Sequence, residues 1–184
     1  MRFFMGFDNT TIPVRHQLTY QELAYCLMKR DMGLRATGWL GSSDCFLKGV
    51  YKETDFKRDH IQVFLGAASE SRNRPHVGTG FYLVPSLPNY LDAMVLAEKA
   101  IPGWNHADDD FKREAAVLVF QFLGLSLGAP CEQVICYYDP EEGSGRHNWF
   151  FGFAQSHGAK LVNLFDVKVR YKVEDFVAEN TLNF

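Results

Sequence analysis

The chain lacks most of the features that would mark a specialised class of protein. It has no basic excess, since 19 Lys and Arg stand against 22 Asp and Glu for a net charge of −3. No global field therefore draws it toward nucleic acid or an anionic membrane. It has no apolar stretch of the about 18 residues that a membrane span needs, and the apolar start at Met1 to Phe4 is too short for a signal peptide. A cytoplasmic protein with no membrane partner is the expectation. Its four cysteines, Cys26, Cys45, Cys131 and Cys136, form no C-x-x-C pair and read as reduced core residues. Proline and glycine are too sparse for a disordered protein, and neither a repeat nor a low-complexity run is visible.

What is present is a hydrophobic fraction of 47% with 16 Phe in 184 residues, enough for one well-filled domain. Arg2 to Phe7 reads as a buried strand. Thr19 and Glu22 form a capping box that opens a helix, with Leu23, Cys26, Leu27 and Met28 at helical spacing. Leu34 to Ala36 reads as a second strand, and a helix follows from Ser42 or Ser43 to about Tyr51. Residues 61–65 read as a third strand, and Ala67 to Pro88 as one long loop carrying Arg72, Arg74 and His76. Pro88 or Asn89 opens a helix to Ala100. Asp108, Asp109 and Asp110 cap another, whose Phe111, Ala115, Leu118, Val119 and Phe122 share a face that Gly124 closes. Strands near 134–138 and 160–164 flank a helix after Asn148. Val167, Val169, Tyr171 and Val173 alternate with Lys168, Arg170 and Lys172, the pattern of an edge strand with one wet, cationic face. The alternation predicts a single α/β domain, a Rossmann-like, doubly wound and mostly parallel sheet over 1–166. Residues 167–184 would add a C-terminal edge strand and tail.

In such a sheet the strand-end turns meet at the carboxyl edge, where ligands bind. Three turns carry polar side chains: Asn9 and Thr10; Thr37, Gly38, Gly41, Ser42 and Ser43; and Arg146, His147 and Asn148. Together they predict a pocket for a nucleotide-like or other small polar molecule, and the competing reading is a cleft filled by its own side chains. Asp139 to Gly145 holds the place of a phosphate loop, yet Arg146 to Trp149 occupy the helix entrance where bare backbone would be needed. Asp139, Glu141 and Glu142 read as solvated loop acids, and no catalytic residue, cofactor or metal is assigned. His106 with Asp108 to Asp110 offers ligand types for a divalent ion, but acids at a helix start are explained by capping. Arg72 and Arg74, with Lys168, Arg170 and Lys172, are two local cationic groups. They suit single-stranded DNA, a macromolecular partner, or an edge protected by charge. Phe81, Tyr82 and Leu83 fit either a homodimer contact or packing of the loop.

Several segments carry a further signal through their order. These are Gly6-Phe7-Asp8-Asn9-Thr10 followed by Ile12-Pro13; Leu34-Arg35-Ala36-Thr37-Gly38-Trp39 with Gly41-Ser42-Ser43, Phe46 and Gly49; Ile101-Pro102-Gly103-Trp104; Ala116 to Gly124; and Leu161-Val162-Asn163-Leu164. Over about residues 2–165 this order resembles phage-type members of the SLOG superfamily, the Rossmann-like group that includes DNA-processing protein A and the cytokinin-activating LOG enzymes. The departures fall on pocket positions: Thr10 stands for an Arg, Thr37 for a Gly, Trp39 for a small residue, Ser43 for an Asp, and Val117-Leu118 for Arg-Asn. Loss of the guanidinium and amide removes phosphate-grade donors. The LOG enzymes' Pro-Gly-Gly-x-Gly-Thr-x-x-Glu motif is missing. The resemblance implies a phage-encoded, non-catalytic binding protein in the host cytoplasm, recognising a nucleotide-related ligand or a host protein or other macromolecule. It also implies two alternatives, a single-stranded DNA-binding recombination accessory protein and a nucleotide-processing N-glycosidase or phosphoribohydrolase.

Overall fold

The computed structural model describes residues 1–8, 10–39, 41–51, 60–67, 80–139, 141 and 148–181. Within them the strands are β1 (Arg2–Asp8), β2 (Met32–Thr37), β3 (Ile61–Leu65), β4 (Gly80–Leu83), β5 (Gln133–Tyr137) and β6 (Lys160–Asn163). The helices are α1 (Val14–Lys29), α2 (Ser42–Val50), α3 (Tyr90–Ala100), α4 (Asp109–Leu123), α5 (Trp149–Ser156) and α6 (Val167–Thr181). The strands form one sheet in the order β4-β3-β2-β1-β5-β6, and every neighbouring pair is parallel. This is a doubly wound, Rossmann-like sheet. The backbone runs outward from β1 to one edge, returns through α3 and α4, and starts again on the other side of β1 with β5 and β6.

Buried on both faces, β1 is apolar along its length rather than alternating. Its odd residues Phe3, Met5 and Phe7 meet α3, α4 and α5, while Phe4 meets α1 and α2. Phe150 lies with its ring centroid 4.8 Å from Phe7, and Phe122 packs edge-on to Phe150. On the opposite face Phe46 stands edge-on to Phe4 and stacks with Tyr20 at 5.3 Å. All four cysteines are buried and free.

Three expectations from the sequence are corrected. Residues 167–181 are a helix, not an added edge strand. Val169, Val173, Phe176 and Val177 pack onto the α1–α2 face, and valines four apart satisfy a two-residue and a 3.6-residue period alike. The choice falls to Asp166, whose carboxylate accepts the backbone N–H of Lys168 at 2.8 Å and caps the first turn. The first helix begins at Val14, behind Pro13, and not at the Thr19–Glu22 box; Pro13 is preset for a helix start, and its carbonyl accepts from His16 N–H. The stretch read as loop from Ala67 to Pro88 contains β4, where Tyr82 stacks on Phe64 at 5.5 Å and Phe81 packs against the other face. The reading of α4 holds: Asp108 accepts from Phe111 N–H at 2.7 Å, and the backbone turns at Gly124.

Helices α1 and α2 cross closely enough that only glycine fits at position 49. A Cβ there would stand 2.7 Å from the backbone carbonyl carbon and the Cα of Gln21. Helix propensity alone favours alanine by about 1 kcal/mol, yet overpacking against backbone is the stronger term. Gly49→Ala is expected to destabilise the fold by about 2 kcal/mol, measured by urea unfolding. A midpoint at or above wild type would mean the two helices part freely.

Candidate functional site

A cleft of about 700 Å³ opens over the carboxyl ends of β1 and β2, between α2 on one face of the sheet and α4 on the other. That size suits a small ligand. Of the residues expected there, Thr10, Thr37, Gly41, Ser42 and Ser43 line it, and Gly38 lies in the same turn as Thr37. Asn148 does not join them, for it lines a separate depression of about 630 Å³ between α3 and α5, beside Trp149 and His157. Asn9, Arg146, His147, Arg72 and Arg74 lie outside the described residues, as do His76 and Glu142.

Several lining residues were not among the expected site residues, among them Asp8, Trp39, Glu114 and Gln121. Asp8 ends β1 beside the point where the strand order reverses. Its Oδ2 accepts the backbone N–H of Ser42 at 2.6 Å, and its Oδ1 accepts that of Tyr137 at 2.9 Å. One carboxylate thus joins the start of α2 to the end of β5 across β1. Gly41, the residue before α2, has φ +101°, and a Cβ there would lie 2.8 Å from Asp8 Oδ2. Glycine is what lets the backbone come this close. Burial pushes the Asp8 carboxyl up to about 6, against the pull of its bonds from Ser42 and Tyr137.

Gln121 supplies the inner end of the cleft and is fully buried. Its amide nitrogen donates to the carbonyls of Gly6 at 3.2 Å and Arg35 at 3.1 Å, and lies 3.5 Å from Ser43 Oγ. Two carbonyl acceptors fix which amide atom is nitrogen. That leaves Gln121 Oε1, which has no hydrogen-bond partner among the described residues. Ser43 Oγ also accepts from Thr37 N–H at 3.2 Å, so the β2 turn, α2 and α4 meet in one polar network. Gln121 falls within the Ala116 to Gly124 stretch, and its reach across two strands follows from α4 lying over β1 and β2.

The outer wall is acidic. Asp44 holds Lys48 at 2.8 Å one turn along α2, and Glu114 faces them from α4. The described lining therefore carries three carboxylates, Asp8, Asp44 and Glu114, and one ammonium. Cys45 also lines the cleft, but burial, with the Asp44 charge next, pushes its thiol up to about 11 and so favours the protonated form near neutral pH. Among the described residues no group of three or more His, Cys, Asp or Glu side chains is placed to hold a metal ion.

The three bases expected on one wet strand face stand on α6 instead. Lys168 and Lys172 are exposed, while Arg170 turns in, donating to the Leu164 carbonyl at 3.1 Å and lying 3.9 Å from Glu174. Glu174, Asp175 and Glu179 on the same helix balance them, so α6 carries no net positive charge. No helix among the described residues is long and apolar enough to cross a membrane.

Fold and cleft together define a doubly wound α/β protein with a ligand-sized opening at the carboxyl edge of its sheet. No protein-family model, curated protein or solved structure matches the sequence.

Proposed function

We propose that the protein is a non-catalytic, Rossmann-like binding protein that holds a nucleotide-related small molecule in the cleft between α2 and α4. The observation that carries this reading is the cleft of about 700 Å³ itself, lined by Thr37, Ser42 and Ser43 and backed by the buried amide of Gln121, which ties the β2 turn to α4. The cleft's place at the carboxyl edge agrees with where open α/β sheets bind ligands. The resemblance to the SLOG superfamily adds support, since five of its altered pocket positions, Thr10, Thr37, Trp39, Ser43 and Leu118, line this cleft. The non-catalytic part rests on the chemistry of the lining. Its thiol is held protonated, and the carboxyl that titrates near neutrality has both oxygens engaged by backbone donors.

A thermal-shift screen with nucleosides, nucleotides, cyclic dinucleotides and short single-stranded DNA tests the reading. A ligand at about a hundred times its Kd adds about 2.7 kcal/mol, which for a protein of this size raises Tm by about 5 °C or more. The shift is expected from a small molecule and is expected to collapse in Gln121→Met and Ser43→Ala. A shift from DNA alone, falling steeply with salt, would replace this reading with the DNA-binding one.

A further inference from the structure

We infer that the cleft selects a nucleoside-like ligand that carries no phosphate, because the protein's own Asp8 carboxylate fills the anion seat at the start of α2. The inference rests on the cleft being a small-molecule site, as proposed above, and concerns which member of the nucleotide-related class it takes. Nucleotide folds hold a phosphate with two devices, backbone N–H groups at a helix start and glycine backbone that an anion can approach. Both are present here, and both are turned on Asp8. Ser42 N–H donates to Oδ2 at 2.6 Å, and Gly41 leaves room for that oxygen where any Cβ would stand 2.8 Å away. Tyr137 N–H fixes the second oxygen at 2.9 Å, so the carboxylate is pinned from two sides and cannot swing aside for a competing anion.

The remaining charges act in the same direction. Asp44 and Glu114 face the opening, and the ammonium of Lys48 is held by Asp44 at 2.8 Å. Among the described residues a phosphate entering would meet the carboxylates of Asp8, Asp44 and Glu114 and the ammonium that Asp44 holds, and like charges in a partly buried site repel. What the cleft offers is acceptors, the hydroxyl oxygens of Thr37 and Ser42 and the carboxylate oxygens of its wall. A nucleoside brings the matching donors, an N–H-bearing base edge and ribose hydroxyls, and its planar base suits the indole of Trp39 on the cleft wall.

The test is calorimetric titration of the intact protein at pH 8 with adenosine, guanosine, cytidine and uridine and with each matching 5′-monophosphate. The best nucleoside is expected to bind at least about tenfold tighter than its monophosphate, a factor set by repulsion at a partly buried site. In Asp8→Asn the gap is expected to shrink by about threefold or more, mostly through a gain for the monophosphate. Glu114→Gln provides the same readout without touching the Asp8 bridge, should Asp8→Asn fail to fold. A monophosphate that binds wild type as tightly as its nucleoside overturns the inference and leaves the proposed function standing. If neither class binds, both are overturned.

Discussion

Replacing Arg35 by methionine is expected to lower the unfolding free energy by about 3 kcal/mol, read as a fall in the urea midpoint with an unchanged m-value. Arg35 sits in β2, is 3% exposed, and has no carboxylate partner among the described residues. A buried guanidinium without a counter-ion survives only if its donors are matched. Here Nε donates to Gln62 Oε1 at 2.9 Å, and Nη1 donates to the carbonyls of Phe122 at 3.0 Å and Ala129 at 2.6 Å. Its plane lies 4.1 Å over the ring of Phe3. Desolvation draws its pKa down, and the neighbouring Cys131 opposes the shift. The Phe122 carbonyl belongs to the last turn of α4, so the Arg35 guanidinium caps that turn and fastens the end of α4 to the sheet. Methionine fills much of the volume but strands the Ala129 carbonyl and the Gln62 amide oxygen.

Two further measurements test this role of Arg35. Lysine carries one compact charge and cannot span three acceptors, so Arg35→Lys is expected to recover less than half of the loss. Helix α4 also delivers Gln121 and Leu118 to the cleft, so ligand binding is expected to weaken in Arg35→Met at temperatures where the variant is still folded. A midpoint at or above wild type would mean that freeing the buried charge from its desolvation outweighs its three bonds.

Arg35 also marks what the sequence could and could not convey. An arginine in an apolar strand stands out, yet two of its partners lie some 87 and 94 positions away, at Phe122 and Ala129, and no local pattern announces them. The central strands and α4 were legible because continuous apolar runs, an Asp cap and a closing glycine are local signals. Helix α6 was not, since its valines fit both periods and Asp166 decides between them. Strand β4 has only four residues, too few for a pattern to separate it from loop. In the cleft, the small polar residues of the β2 turn were legible as a group. Asp8 reads as turn chemistry, because an aspartate at a strand end commonly is one. Only the parallel register that sets it beside Tyr137 reveals the bridge it makes.

Because desolvation raises the Asp8 carboxyl, the protein is expected to lose stability as pH rises from about 4 to about 6, and Asp8→Asn is expected to remove that loss. The carboxyl has an ordinary value of 3.8 and stands at about 6 in the folded protein, raised by desolvation. Between those values the native state keeps a proton that the unfolded state has released. More protons bound to the native state means that stability falls with rising pH, is fully favourable below about 4, and levels off above about 6. The whole excursion is about 3 kcal/mol at 1.36 kcal/mol per unit. His16 works in the opposite sense. Desolvation, with Arg170 and Arg15 beside it, lowers its pKa below 6.5, so its contribution rises with pH in the window just under 6.5. Asparagine at position 8 accepts one of the two backbone N–H groups and turns its own N–H₂ toward the other, a penalty that does not vary with pH. The difference between the wild-type and Asp8→Asn stability curves therefore isolates the carboxyl, and it should slope downward for wild type between pH 4 and 6. A flat difference curve, or one of opposite slope, would mean that Asp8 is ionised without strain in the folded protein. The charge is then a settled part of the scaffold. With the slope present, the fold maintains an unfavourable carboxylate at the mouth of its cleft, as expected when a group is kept for what it does to a ligand rather than for stability.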